Sequence, residues 1–207
     1  MPPRERPTAL LVDLDGVLRR WDPRVAAEVE RRHGLPEGAL HDTAFRWSLL
    51  QPAVTGQIRH AEWMAAVVDA LADAAGGRER AQAAVDAWQA DRGSVDPDVL
   101  AFVRQVRAAG LRVGLATNAT DLLDADLKLL GLTDEIDVVV NSSRVGVAKP
   151  SKEYFQQACV AIGTPPARVL FVDDEDRAIR GARVAGLSAY RWNGPDDLRY
   201  LRAALAL

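Results

Sequence analysis

The chain has little cysteine, no long apolar run and no strong excess of charge of either sign. Its 207 residues include one cysteine, Cys159, which excludes a disulfide within the chain; we expect it on an apolar helical face with Phe155 and Ile162. No apolar run approaches membrane-spanning length, and residues 1–8 are polar and proline-rich, without a signal-peptide core. The net charge of −3 gives no support for nucleic-acid or membrane binding. These absences predict a cytoplasmic protein that binds neither nucleic acid nor membranes.

The sequence also lacks the glycine-rich loops that hold nucleotide phosphates, and it has no internal repeat. Its three histidines, His33, His41 and His60, show no metal-ligand spacing, and we expect them to be exposed. Apolar residues, in contrast, are plentiful: 48% of the chain is hydrophobic and 27% is charged. This composition and length predict one globular domain with an insertion.

An apolar run that leads into two acidic residues stands near the start of the chain. Residues Ala9–Val12 are followed by Asp13, and Asp15 and Gly16 come next. A short apolar run with this punctuation predicts a buried strand of a parallel sheet. Ligands of such sheets bind just outside the carboxyl ends of the strands. Two carboxylates that lie close together there repel each other, which favours a hard divalent cation with oxygen ligands.

Residues 19–93 show helical periodicity and no convincing strand. Apolar side chains recur at intervals of three and four residues, and we expect four helices. The second of these carries Phe45, Leu49 and Leu50 on one face. Residues 19–93 therefore predict an all-helical cap domain that is inserted directly after the acidic turn.

Strands and helices alternate from residue 94 onward. Four further apolar runs predict strands, at residues 112–116, 136–140, 169–172 and 187–190. An irregular loop, residues 141–150, follows the third of the five predicted strands. Strands that alternate with helices form right-handed crossovers and a parallel sheet covered on both faces. The expected fold is α/β, with a three-layer, Rossmann-like core formed by residues 1–18 and 94–207.

Polar residues end three of the five predicted strands. Asp13 and Asp15 follow the first strand, Thr117-Asn118 the second and Asp173-Asp174 the fourth. Lys149 lies in the long loop after the third strand. Because the carboxyl ends of parallel strands meet at one edge of a sheet, we expect these residues to lie together.

The acidic pair suits the transfer of a phosphoryl group. A phosphate monoester and its nucleophile are both anionic, and a Mg²⁺ ion held by few carboxylates can shield their repulsion. Asp13 is then the candidate nucleophile, which forms an aspartyl-phosphate. Asp15 is the candidate acid and base, which protonates the leaving oxygen and later activates water.

The remaining residues of this group have roles in the same chemistry. Thr117 and Asn118 offer neutral donors to phosphate oxygens, although they could also cap the following helix. Lys149 offers a compact cation. Either Asp174 or Asp173 completes the metal site, and Asp173 could equally support it without touching the metal.

Four sequence motifs resemble those of the haloacid dehalogenase (HAD) superfamily. They occur in the family order: Asp13-Leu14-Asp15-Gly16-Val17, Ala116-Thr117-Asn118, Val147-Ala148-Lys149-Pro150 and Phe171-Val172-Asp173-Asp174. The resemblance covers nearly the whole chain, and the helical insertion is similar to the α-helical cap of the C1 subclass. It implies a Mg²⁺-dependent phosphatase that acts through an aspartyl-phosphate.

The resemblance also implies a role for each matching residue. Asp13 is the nucleophile and Asp15 the acid and base. The metal ligands are the Asp13 carboxylate, the backbone carbonyl of Asp15 and Asp174. The implied phosphate-binding residues are Gly16, Thr117, Asn118 and Lys149.

Two departures from the family pattern bear on function. Many members have an acid or an asparagine where this chain has Ala178. The dehalogenases lack the second acid of the first motif, whereas Asp15 is present here, which favours phosphate chemistry over dehalogenation. The open alternatives are a phosphomutase with the same intermediate and a non-catalytic protein that keeps the fold for binding.

Only a narrower resemblance, to one branch of the superfamily, indicates the class of substrate. The Asp173-Asp174 pair and Gly56-Gln57-Ile58 resemble sugar-phosphate phosphatases and the N-terminal phosphatase domain of soluble epoxide hydrolase. We therefore expect a small phosphorylated metabolite as substrate, and a monomer or a homodimer.

Overall fold

The computed structural model describes residues 6–207. The prediction that the start of the chain has no signal-peptide core falls partly on residues 1–5, which lie outside the described residues. The strands are β1 (Ala9–Val12), β2 (Arg19–Arg20), β3 (Ser94–Val95), β4 (Arg112–Thr117), β5 (Val138–Asn141), β6 (Val169–Asp173) and β7 (Ser188–Arg191). Five of them form a sheet in the order β5-β4-β1-β6-β7, in which every pair of neighbours is parallel. The predicted α/β fold with a parallel sheet is confirmed.

Helices lie between these strands, as alternation along the chain predicts. They are α1 (Pro23–His33), α2 (Ala39–Ala44), α3 (Trp47–Val54), α4 (His60–Leu71), α5 (Arg78–Gln89), α6 (Pro97–Ala108), α7 (Leu123–Leu129), α8 (Ser142–Val145), α9 (Lys152–Ile162), α10 (Asp176–Val184) and α11 (Leu198–Leu205). Short 3₁₀ turns occur at Pro166–Arg168 and Pro195–Asp197. No helix in the described part of the chain is long and apolar enough to cross a membrane.

The sheet is covered on both faces because successive strand residues point to opposite sides. In β1, Leu10 and Val12 pack in one apolar cluster with residues of α6, α7 and α11. Ala9 and Leu11 pack in another, with residues of α9 and α10. All four side chains are buried. The central strand is therefore apolar throughout, as the sequence predicts, and the molecule has the three layers expected.

The inserted segment has its own apolar cluster, formed by residues of α1 to α5 and the loops between them. It contains five helices, so the expectation of four is wrong. The predicted second helix is interrupted between Ala44, where α2 ends, and Trp47, where α3 begins, because Arg46 has an extended ψ of 122°. The Phe45 side chain is 47% exposed and does not share a buried face with Leu49 and Leu50.

A two-stranded ribbon joins the core to the insertion. Strand β2, just before α1, pairs antiparallel with β3, just after α5. These strands have two residues each and carry no periodicity that sequence analysis could detect. The proposed cap, residues 19–93, begins with β2 and ends just before β3, and these boundaries stay a prediction.

Candidate active site

The register of the sheet brings the predicted strand ends to one edge. Val12 of β1 lies beside Leu115 of β4 and Val172 of β6. The residues that follow, Asp13 and Asp173 among them, therefore emerge from adjacent strands at the same level. The loop after β5 adds Lys149 to this group. It includes the short helix α8, which the expectation of an irregular loop did not foresee.

Lys149 forms ion pairs with two buried carboxylates. Its Nζ lies 2.9 Å from Asp13 Oδ2 and 2.6 Å from Asp173 Oδ2. All three residues are buried. The other oxygen of each acid accepts a backbone N–H: Leu14 donates to Asp13 Oδ1 and Glu175 donates to Asp173 Oδ1. The positions of both carboxylates are thus fixed by one ammonium group and local backbone.

Asp13, Asp173 and Asp174 each offer a carboxylate oxygen, and these three atoms lie within 4.8 Å of one another. Of the three side chains, only that of Asp174 has no ion pair with a lysine or arginine among residues 6–207. The donor set consists of oxygen atoms, which suits Mg²⁺. Asp15 is predicted to contribute its backbone carbonyl, and its carboxylate is not part of this group.

Gly16 leaves the space that the Asp174 carboxylate occupies. A β-carbon at Gly16 would lie 2.2 Å from Asp174 Oδ2 and 2.6 Å from its Cγ. The residue also has a φ of +78°, which side-chain-bearing residues rarely adopt. The site is therefore built for a carboxylate at this point, and the residues present fit a divalent cation.

The pKa shifts of the residues in this site also favour a bound cation. Burial raises the pKa of Asp13; Lys149 opposes this shift and the charge of Asp173 adds to it. Burial, followed by the charge of Asp173, also raises the pKa of Asp174. Burial alone would lower the pKa of Lys149, but the charges of Asp13 and Asp173 raise it above its usual value. One ammonium group faces three acids, so a cation bound among them would stabilise their ionised forms.

Asn118 contacts Lys149 through its side-chain amide. Nδ2 donates to Lys149 O at 3.0 Å, and Oδ1 accepts from Lys149 N at 2.8 Å. Thr117, at the end of β4, is buried beside this contact. Neither residue caps the next helix, because α7 begins only at Leu123. The structure thus assigns the Asn118 amide to the loop that carries Lys149; its predicted phosphate contact stays a prediction.

Asp15 is held by two residues of the connection to the insertion. Arg19 donates from Nε to Asp15 Oδ1 at 2.7 Å and from Nη2 to Oδ2 at 3.0 Å. The indole Nε1 of Trp21 donates to Asp15 Oδ1 at 2.6 Å. Arg19 is almost fully buried, although arginine is seldom buried unless it is paired. Both oxygens of the candidate acid and base are therefore engaged.

Two other residues near the site have contacts that the sequence did not reveal. His60, which we expected to be exposed, is half-buried, and its ring nitrogens lie 3.2 Å from Thr120 Oγ1 and 2.8 Å from Gln89 Oε1. Tyr154, fully buried, donates to Val140 O at 2.8 Å beneath the end of β5. No sequence motif marks His60 or Tyr154, because each forms hydrogen bonds with residues that are distant along the chain.

Ala178, where many HAD members have an acid or an asparagine, is a core residue. It is 1% exposed and belongs to the apolar cluster beneath the sheet, with Phe155 and Phe171. Cys159 is buried in the same cluster, as predicted. The position of Ala178 therefore contributes to packing and supplies no ligand atom to the site.

A family model described as a haloacid dehalogenase-like hydrolase matches residues 7–186. A protein named Phosphatase MT3486, from Mycobacterium tuberculosis, is 30% identical over 192 residues, which are 88% of this chain and 86% of that protein. The chain belongs to the haloacid dehalogenase-like hydrolases.

Solved structures of the same fold include enzymes of two kinds. A HAD family enzyme from Bacteroides thetaiotaomicron, in complex with magnesium and inorganic phosphate, superposes with a TM-score of 0.73, at 20% identity over 94% of this chain and 98% of that one. An L-2-haloacid dehalogenase from Xanthobacter autotrophicus superposes with a TM-score of 0.65, at 23% identity over 89% and 77%. At these identities the likeness shows the fold alone.

Proposed function

We propose that the chain is a Mg²⁺-dependent phosphatase that hydrolyses a small phosphorylated metabolite through an aspartyl-phosphate on Asp13. The observation that carries the proposal is the buried cluster in which Lys149 Nζ lies 2.9 Å from Asp13 Oδ2, with Asp173 and Asp174 beside it. A relative that matches most of the chain is named as a phosphatase, which supports the same chemistry.

In this mechanism the Asp13 carboxylate attacks phosphorus. A bond forms between a carboxylate oxygen and phosphorus, while the bond from phosphorus to the leaving oxygen breaks and Asp15 gives that oxygen a proton. Water, deprotonated by Asp15, then attacks phosphorus, which releases phosphate and restores the Asp13 carboxylate. The first step transfers the phosphoryl group to Asp13 and the second hydrolyses the aspartyl-phosphate, so water is the only co-reactant.

The surrounding residues stabilise charge in both steps. Lys149 is within hydrogen-bond distance of Asp13 and would neutralise a phosphoryl oxygen on it. Thr117 ends the neighbouring strand and supplies a neutral hydroxyl. Asp13, the Asp15 carbonyl and Asp174 would hold Mg²⁺, with Asp173 holding Lys149. When bound, the ion shields the repulsion between the carboxylate and the phosphate.

The function is tested by release of phosphate from p-nitrophenyl phosphate, with Mg²⁺ and with excess chelator. We expect turnover with Mg²⁺, little with chelator, and none detectable for Asp13→Asn. Asp134→Asn is the matched control, since Asp134 is exposed and lies before β5, at the opposite edge of the sheet. An Asp13→Asn protein with full activity would contradict the mechanism.

Two further assays, one with a sugar phosphate and one with a 2-haloacid, separate the alternatives. A phosphomutase would convert a sugar phosphate into an isomer without releasing phosphate, and a dehalogenase would release halide from a 2-haloacid. A protein that only binds would do neither. We favour hydrolysis because Asp15, which the dehalogenases lack, is present. The cytoplasmic location and the monomeric or dimeric state stay predictions.

A further inference from the structure

We infer that Arg19 is a positioning residue that orients Asp15 and is itself held where the two connections between the core and the inserted helices meet. The inference deepens the proposed phosphatase function and rests on it, because Asp15 has a catalytic role only there. It goes beyond the motif residues, since Arg19 belongs to none of the four motifs.

The first observation is the geometry of the Arg19–Asp15 pair. Two guanidinium nitrogens meet both carboxylate oxygens, at 2.7 Å and 3.0 Å, and the Trp21 indole adds a third donor at 2.6 Å. A bidentate, charge-assisted pair fixes the plane of the carboxylate as well as its position. Lysine cannot replace this arrangement because its ammonium group is a point charge.

The second observation is that Arg19 is itself held from the core. Its Nη1 donates to Asp126 Oδ2 at 2.9 Å, and Asp126 lies in helix α7. The other oxygen of Asp126 accepts from Arg92, which lies in the second connection between core and insertion. The buried carboxylate of Asp126 therefore binds one arginine from each of the two connections between core and insertion.

The third observation is a close approach between the two connections. A β-carbon at Gly93 would lie 2.7 Å from Arg20 O and 3.0 Å from Arg19 Cγ. The second connection thus packs directly on the aliphatic part of the Arg19 side chain. Arg19 is therefore held by the second connection as well as by α7, and these contacts fix the position from which it binds Asp15.

Arg20 provides a matched control within the same ribbon. It forms an ion pair with Asp96, the residue that caps α6, and it has no contact with Asp15. Loss of the Arg20 pair also weakens the attachment of the connection to the core. Effects common to Arg19 and Arg20 variants report on the ribbon, and effects confined to Arg19 variants report on Asp15.

The kinetic test compares an alkyl phosphate with p-nitrophenyl phosphate. An alkoxide needs a proton from Asp15 to leave, whereas p-nitrophenolate leaves without one. The ratio kcat/KM includes only the steps up to departure of the leaving group. For Arg19→Gln and Arg19→Lys we expect kcat/KM to fall about tenfold or more for the alkyl phosphate and far less for p-nitrophenyl phosphate.

Two further kinetic results follow if Asp15 is misplaced. Arg19→Gln should show a burst of p-nitrophenol, because Asp15 also activates water for the second step. Arg20→Gln should leave the ratio between the two substrates as in the unmodified protein. Equal losses for both substrates in Arg19→Gln would overturn the inference, since they indicate a structural role only.

A double-mutant cycle tests the pair without turnover. We expect the effects of Arg19→Gln and Asp15→Asn on the urea midpoint to be non-additive, and those of Arg20→Gln and Asp15→Asn to be additive. Additive effects in the first cycle would overturn the inference. If the unmodified protein releases no phosphate, the proposed function fails, while the cycle still decides whether Arg19 holds Asp15.

Discussion

A β-carbon on Gly16 would lie 2.2 Å from the Oδ2 atom of Asp174. The first of these residues follows β1 and the second follows β6, strands that are adjacent in the sheet but far apart in the chain. The absence of a side chain at one position is therefore what allows the carboxylate at the other to reach the site. This relationship gives the first prediction.

Gly16→Ala should weaken Mg²⁺ binding, because the new methyl group displaces the Asp174 carboxylate. We expect at least about a tenfold rise in the Mg²⁺ concentration required for half-maximal activity. Titration calorimetry with Mg²⁺ measures the same effect without a substrate.

The backbone strain of this substitution is controlled by Gly110→Ala. Gly110 has a φ of +79°, and a β-carbon there would meet no atom within 4 Å. Both variants should lose about 1 kcal/mol of stability or more from the positive φ. Only Gly16→Ala should lose affinity for Mg²⁺; equal affinities for the two variants would contradict the prediction.

Lys149→Met should destabilise the protein and abolish turnover. The substitution leaves Asp13 and Asp173 buried without their cation, which costs about 3–5 kcal/mol for a broken buried ion pair. Urea unfolding measures this loss. Added Mg²⁺ should recover part of it, because the ion supplies positive charge at the same carboxylates. Lys152→Met, at an exposed position on α9, should change neither stability nor turnover. An unchanged urea midpoint for Lys149→Met would contradict this account.

Asn118→Ala should lower kcat through Lys149. The side-chain amide holds both the N–H and the carbonyl of Lys149, so its loss releases the loop that carries the ammonium group. We expect a fall in kcat of about tenfold or more and faster hydrogen exchange at the Lys149 amide. Asn118→Asp keeps the acceptor for the Lys149 N–H and should leave that amide better protected than in Asn118→Ala. Unchanged exchange in Asn118→Ala would show that the loop is held by other contacts.

Cys159 should make stability fall at high pH. Burial raises the pKa of its thiol from 9.0 to about 11. The folded state therefore keeps the proton after the unfolded state has lost it. The contribution is complete below about pH 9 and is lost as the pH rises toward about 11.

This prediction is measured by urea unfolding across that pH range, with Cys159→Ala for comparison. The variant should show a smaller decline in stability above pH 9, although it begins less stable because a buried atom is removed. In the folded protein below pH 9, the thiol should also resist alkylation until urea is added. Rapid alkylation without urea would contradict the burial of the thiol.

The fold was largely predictable from local pattern. The run Ala9–Val12 is apolar because a central parallel strand is covered on both faces, and this apolar run is evident from the amino-acid sequence. The inserted helices are predictable for a similar reason, because their apolar side chains recur at helical spacing. The break at Phe45 was not, because the extended conformation of Arg46 is not signalled by any glycine or proline at that point.

The candidate site was predictable to the extent that it follows strands. Asp13 and Asp173 come directly after apolar runs, and topology alone brings such positions together. The contact of Asn118 with Lys149 was not predictable, since an amide beside a strand end suits a ligand or a backbone partner equally well. The burial of Ala178 likewise depends on which face of α10 meets the sheet.

By itself, the sequence determined the alternation of strands and helices, the acids at the strand ends and the place of the helical insertion, because each of these is encoded by neighbouring residues. The tertiary structure alone decided which partners those acids have. Arg19 is separated from Asp126 by 107 residues, yet one ion pair joins them. Such pairings depend on the packing of whole elements, and packing is settled by shape and burial across the molecule rather than by any local run of residues.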